Sequence, residues 1–168
     1  MLEATEREGL RKGMKTAWII WGAMLGSLAL YLALCEQLGN LMDVSMLSDA
    51  PLALLKSIFY CVAAAELIIA YFVRRFMLSG RLPSPVPDLR QQAWNVKTSP
   101  SVAKYIPGVL VSLAIAESVG IYGLIIFFLG GDFKTLYTFL FISAVAIIFF
   151  RPKFEELEQL AVSMKVHA

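Results

Sequence analysis

Two glutamates stand inside runs that otherwise exclude charge: Glu66 in "AAAELIIAY" and Glu117 in "AIAESVGIYGLIIFFLGG". Both fit the pattern A-x-A-E-x-x-x-x-Y. An ionised carboxylate at the centre of a bilayer costs about 2.5–3.5 kcal/mol on insertion scales. Protonation removes that cost, because burial favours the neutral acid. A carboxyl that is neutral in an apolar medium and ionised beside water is a proton carrier. The competing reading is a structural acid, hydrogen-bonded to a neighbouring helix and never titrating. Glu66 has a further option, balance by Arg74, about 12 Å along a helix at 1.5 Å per residue. The two acids fall on adjacent, oppositely directed segments. Facing each other, they would share one proton at neutral pH, since like charges at close range hinder double ionisation.

The elements that position these acids are apolar. The chain has 168 residues, of which 58% are hydrophobic, and a mean hydropathy of +0.69. A soluble domain carries more polar surface than this. Segments 17–35, 52–73, 105–129 and 133–150 approach the roughly 20 apolar residues that one helix needs to cross a bilayer. Each is apolar all round, unlike a surface helix of a soluble bundle. The expected fold is therefore all-α, an integral membrane protein of four transmembrane helices. Laid over the fourth segment, the second matches it at Lys56 and Lys134, Ile69 and Ile147, Phe72 and Phe150, and Phe76 and Phe154. That register reads as two helical hairpins in tandem, at 17–73 and 105–150. They are flanked by tails at 1–16 and 151–168 and joined by a Pro-rich loop at 74–104.

Basic residues give the orientation. Arg7, Arg11, Lys12 and Lys15 precede the first span; Arg74, Arg75, Arg81, Arg90, Lys97 and Lys104 lie between the second and third; Arg151, Lys153 and Lys165 follow the fourth. The other two connections hold Lys56 and Lys134 beside Asp43, Asp49 and Asp132. The positive-inside rule then makes both termini and the middle loop cytoplasmic. The first span reads as retained, since Glu3, Glu6 and Glu8 offset the cations that a cleaved leader would carry. In the middle loop Pro83, Pro85 and Pro87 favour an extended linker, and Trp94 suits the headgroup level. The "GGD" at 130–132 permits only a tight turn, and Pro152 ends the fourth span. Beyond it Phe154, Leu157, Leu160, Ala161 and Met164 recur at helical spacing, for the membrane interface or partner helices.

Other chemistries lack their residues. A net charge of +2 with no basic motif argues against nucleic acid. Cys35 and Cys61 form no CxxC, and His167 is the single histidine, so no metal or cofactor is expected. No Ser/His or paired-Asp arrangement suggests an enzyme. Small residues recur instead: Gly108, Ser112, Ala116 and Gly120 in the third span, and Gly22, Gly26, Ala29 and Ala33 in the first. Such stripes let helices approach closely. The stripe beside Glu117 would narrow its access to water, while that in the first span reads as plain packing.

The string "AESVGIYGLIIFFL" resembles the ion-carrying helix of subunit c, the proteolipid of rotary ATP synthases. E-S-x-G-I-Y-x-L is similar to the sodium-binding form of that family. The resemblance implies that Glu117 is the ion carboxyl, with the Ser118 hydroxyl and the Ile115 carbonyl beside it. It also implies that Tyr122 helps hold the closed state. Tyr122 lies about 140° around the helix from Glu117, so it would reach a neighbouring protomer's site. Val119 stands where the sodium form has threonine, which makes the proton the better ion. The function implied is a proteolipid-like subunit carrying protons in a multi-pass bacterial inner-membrane assembly, a homo-oligomer or one subunit among others. The alternative is a non-transporting subunit or assembly factor with a proteolipid-like fold.

Overall fold

The computed structural model describes residues 4–41, 49–78 and 100–166. All regular structure in them is helical: α1 (Ala4–Leu41), α2 (Asp49–Leu78), α3 (Pro100–Gly130), α4 (Phe133–Phe149) and α5 (Phe154–Val166). The Pro-rich stretch with Pro83, Pro85, Pro87 and Trp94 lies outside the described residues, as does His167.

Stretches of α1 (Glu8–Gly39), α2 (Pro51–Met77) and α3 (Ser101–Gly130) are each long and apolar enough to cross a membrane. The fourth helix meets that standard only together with α5, from which it is bent by 48°. The chain is thus all-α with three such helices, or four spans if the bent pair counts as one. The break has a covalent cause. Pro152 has no N–H to continue the ladder, and the last turn tightens as the Arg151 N–H donates to the Ile148 carbonyl at 3.3 Å. The exterior fits a lipid setting: Ile19 is 72% exposed and Phe141 69%.

The first three helices extend beyond the spans read from hydropathy, because polar residues at their ends do not stop the backbone ladder, while α4 keeps to its span. The turn between α3 and α4 is as tight as "GGD" requires. Gly131 takes a φ of 65°, a left-handed conformation that costs a residue without Cβ little. Asp132 then caps α4, its Oδ1 accepting from the Thr135 N–H at 3.2 Å. Its Oδ2 accepts from the Thr135 hydroxyl at 2.6 Å and pairs with Lys56 Nζ of α2 at 2.5 Å. Burial alone would push this carboxyl up; the Lys56 ammonium and the Thr135 hydroxyl and amide outweigh it and hold the group down at about 2.

The centre of the bundle is α3, packed against all four other helices, and α1 also touches α4 and α5. The main support of α2 is α3, not its chain neighbour α1. The small-residue face of α3 explains this centrality. Gly108, Ser112, Ala116 and Gly120 are buried. A Cβ at Gly123 would lie 2.9 Å from Phe139 Cβ and 3.2 Å from the Leu136 carbonyl of α4. In that close approach the Ser143 hydroxyl donates to the Ala116 carbonyl at 2.7 Å. Across the α1–α4 contact, Trp21 Nε1 donates to the Ile147 carbonyl at 2.9 Å.

The first-span stripe behaves differently from the packing reading. Gly22, Gly26, Ala29 and Ala33 are exposed, and nothing lies within 4 Å of a Cβ built on Gly22 or Gly26. The larger residues on the other side of α1, Leu28 and Cys35, are buried instead.

One end of the bundle gathers the start of α1, the end of α2, the start of α3, the end of α4 and α5. Leu10, Val102, Tyr105, Leu157 and Leu160 are buried together there. Arg74, 7% exposed, holds this end. Its guanidinium donates to the Phe150 carbonyl, to the Arg151 carbonyl at 3.0 Å and to Glu156 of α5 at 2.8 Å. A cation on the last carbonyls of α4 also opposes its helix dipole. The Tyr105 hydroxyl donates to the Lys153 carbonyl at 3.1 Å and accepts from the Lys153 N–H at 2.9 Å. Arg74 is therefore engaged with the α4–α5 corner and is not the counter-ion of Glu66. At the opposite end Gly39 meets Phe133 and Gly130 meets Leu52.

Candidate functional site: two carboxyl–hydroxyl clusters

The two acids are held separately, on different sides of α3. Glu117 points to α1. Its Oε1 lies 2.5 Å from the Ser27 hydroxyl and 2.9 Å from the Tyr31 hydroxyl. Ser27 also lies 2.7 Å from the Met24 carbonyl, three residues back on its own helix. Glu66 reaches α3 from α2. The Tyr122 hydroxyl donates to its Oε1 at 2.5 Å, and Ser118 Oγ is 3.0 Å from its Oε2. Ser118 in turn lies 2.6 Å from the Ile115 carbonyl.

The residues expected around Glu117 are thus divided. Ser118, Ile115 and Tyr122 do assemble into one cluster, and its acid is Glu66. Helix geometry gives the reason. Residues four apart lie about 40° from each other and share a face, whereas adjacent residues diverge by about 100°. Ser118 and Tyr122 therefore face α2 together, while Glu117 turns toward α1. The shared-proton arrangement between the acids is replaced by two separate sets of partners.

Ser27 and Tyr31 were not identified by spacing alone, yet a signal for them exists. "SLALY" at 27–31 and "SVGIY" at 118–122 share S-x-x-x-Y. In that register Met24 matches Ile115, and both supply the carbonyl beside the serine. Gly26 of α1 stands where α3 has Glu117. The third helix carries both an acid and a hydroxyl pair, α1 only the pair, and α2 only the acid.

The surroundings of the Glu66 cluster are apolar and aromatic. The Tyr122 ring stacks on Phe59 with centroids 4.9 Å apart and meets Phe139 edge-on at 6.5 Å. Ala63, Val119 and Phe139 are buried beside it. Val119 lies in that packing and offers no oxygen to the site. Among the described residues no group of His, Cys, Asp and Glu is placed to hold a metal ion.

The hydrogens can be counted. Each cluster has three close oxygen–oxygen contacts: serine to carbonyl, serine to carboxyl and tyrosine to carboxyl. The two hydroxyls supply one hydrogen each. An ionised carboxylate therefore leaves one contact without a hydrogen. A protonated carboxyl supplies the third, and every contact becomes a hydrogen bond.

No protein-family model, curated protein or solved structure matches the chain.

Proposed function

We propose that this chain is a proteolipid-like membrane subunit that takes up and releases protons at Glu66 and Glu117. The observation that carries the reading is the hydrogen count: three contacts in each cluster, with hydroxyl hydrogens for two. The proton completes the network and its departure breaks it, so proton occupancy is coupled to the contacts of α3 with α1 and α2. The chain crosses the membrane four times, with α4 supplying the last crossing and α5 turned aside at its cytoplasmic end. The end that gathers Arg11, Lys12, Lys15, Arg74, Arg75, Lys104, Arg151 and Lys153 faces the cytoplasm, by the positive-inside rule. Both termini then lie on that side, in a bacterial inner membrane. The chain works as a homo-oligomer or within a larger membrane complex. The proton suits the clusters better than sodium because Val119 adds no ligand.

The test is modification by a hydrophobic carbodiimide, which reacts with protonated carboxyls in lipid. Both glutamates should be labelled, and labelling should fall as pH rises. Glu66→Gln and Glu117→Gln should each remove one labelled site and lower proton flux across reconstituted vesicles. If neither glutamate reacts at any pH, or both variants retain full flux, the carrier reading fails.

One observation favours the second reading, a non-transporting subunit or assembly factor. Each cluster ties two helices, α2 to α3 and α3 to α1, as a purely structural acid would. On that reading the glutamine variants lose thermal stability and there is no flux to lose.

A further inference from the structure

At the cation-rich end, Arg11, Met14, Lys15, Trp18 and Ile19 of α1 and Phe154 of α5 line an open groove of about 400 Å³. Met14 forms a buried floor, while Trp18, Ile19 and Phe154 are exposed. Arg11, Lys15 and Trp18 recur at four and three residues, so all three fall on one face of α1. Like charges four residues apart repel each other on a helix. Among the described residues neither cation has an ion-pair partner, and Glu8 of the same helix is engaged with Lys12 at 3.2 Å. Trp21, packed edge-on against Trp18 at 5.1 Å, gives its N–H to the Ile147 carbonyl. The Trp18 N–H has no acceptor among the described residues. The carbon stems of the two cations and the indole thus border an apolar slot where the apolar part of α1 begins.

We propose that this groove binds an anionic phospholipid. The phosphate bridges Arg11 and Lys15 and removes their mutual repulsion. The Trp18 N–H donates to a phosphate or ester oxygen, and an acyl chain lies along Ile19 and Phe154. A zwitterionic lipid brings its own ammonium to the two cations and gains less. The proposal rests on the membrane reading alone. Its failure leaves the carboxyl clusters untouched, and their failure leaves the groove.

The experiment uses the full chain in nanodiscs of mixed phosphatidylglycerol and phosphatidylcholine, with retained lipids counted by native mass spectrometry. At about one factor of several-fold per cation near the surface, phosphatidylglycerol should be preferred by about tenfold or more. Arg11→Gln with Lys15→Gln should abolish the preference. Trp18→Ala should reduce retention of both lipids. Lys12→Gln, one residue from the groove face and paired with Glu8, should change nothing and serves as the control for general surface charge. Equal retention of the two lipids overturns the proposal. So does a preference that survives the double variant or is lost equally in Lys12→Gln. Full displacement of phosphatidylglycerol by inorganic phosphate also overturns it, since it marks a free-anion site.

Discussion

Ser118→Ala and Tyr122→Phe each delete one hydroxyl from the Glu66 cluster, and their effects should have opposite signs. Of the two contacts of Ser118, that to the Ile115 carbonyl is shorter, at 2.6 Å against 3.0 Å to Glu66. On the proposed reading the hydroxyl hydrogen goes to Ile115, and a proton carried by Glu66 fills the second contact. Removing the hydroxyl strands that proton, and an unpaired buried donor costs about 1–3 kcal/mol. Since 1.4 kcal/mol is about tenfold, the rate at which carbodiimide modifies Glu66 should fall about tenfold. Tyr122 donates to Oε1 at 2.5 Å. That bond is about twice as strong to an anion as to a neutral oxygen. Its loss, at about 1 kcal/mol, should raise the same rate about fivefold. The assay is the initial rate of carbodiimide modification of Glu66 at one fixed pH, on the falling part of its labelling curve. Glu117→Gln serves as the background, so that one carboxyl reports. Ser118→Ala should slow the reaction and Tyr122→Phe should accelerate it. A change of the same sign in both variants would refute the hydrogen count. If the changes appear on Glu117, measured in a Glu66→Gln background, the assignment of hydroxyls to acids is refuted.

Asp132 is held down at about 2, against an ordinary value of 3.8. A depressed carboxyl stabilises the fold above its unfolded value and loses that contribution as pH falls through the folded one. After discount for the water that reaches the pair, Asp132→Asn should cost about 1 kcal/mol at neutral pH. Its deficit relative to the parent should vanish between pH 3.8 and about 2 in unfolding scans in mild detergent. Arg74→Gln leaves Glu156 and the carbonyls of Phe150 and Arg151 without their cation, and should cost about 3 kcal/mol. The loss should appear as a lower unfolding temperature, with early proteolysis at the α4–α5 corner. For topology, cysteines placed at Lys134 and at Gln159 in a Cys35→Ala, Cys61→Ala background should differ. The first should react with an impermeant reagent from outside the cell and the second should not; the reverse pattern would invert the orientation.

Much of the architecture follows from sequence alone. Apolar runs of bilayer length dictate helices, because a backbone in hydrocarbon must satisfy its own hydrogen bonds. Gly131 and Pro152 fix the turn and the break around α4 through backbone chemistry that needs no neighbour. Glu66, Glu117, Ser118, Ile115 and Tyr122 stand out for the same kind of reason, as polar groups where solvation is poor. The alternation of Lys and Arg along the chain is likewise local information.

Which group meets which is a different kind of fact. Ser118 follows Glu117 in the chain, and the peptide bond puts them side by side. The helix then turns them about 100° apart, toward different neighbours. Only the packing of α3 decides that α2 stands on the Ser118 face and α1 on the Glu117 face. That choice comes from the close α3–α4 approach at Gly123 and Ser143, which leaves the remaining faces of α3 to α1 and α2. Hydropathy cannot distinguish these arrangements, since every apolar face is equally content against lipid or another helix. The contact of Ser27 and Tyr31 with Glu117 spans some 90 residues of chain, and no local rule reaches that far. The sequence determines that two acids need partners, and the tertiary structure decides which hydroxyls they find.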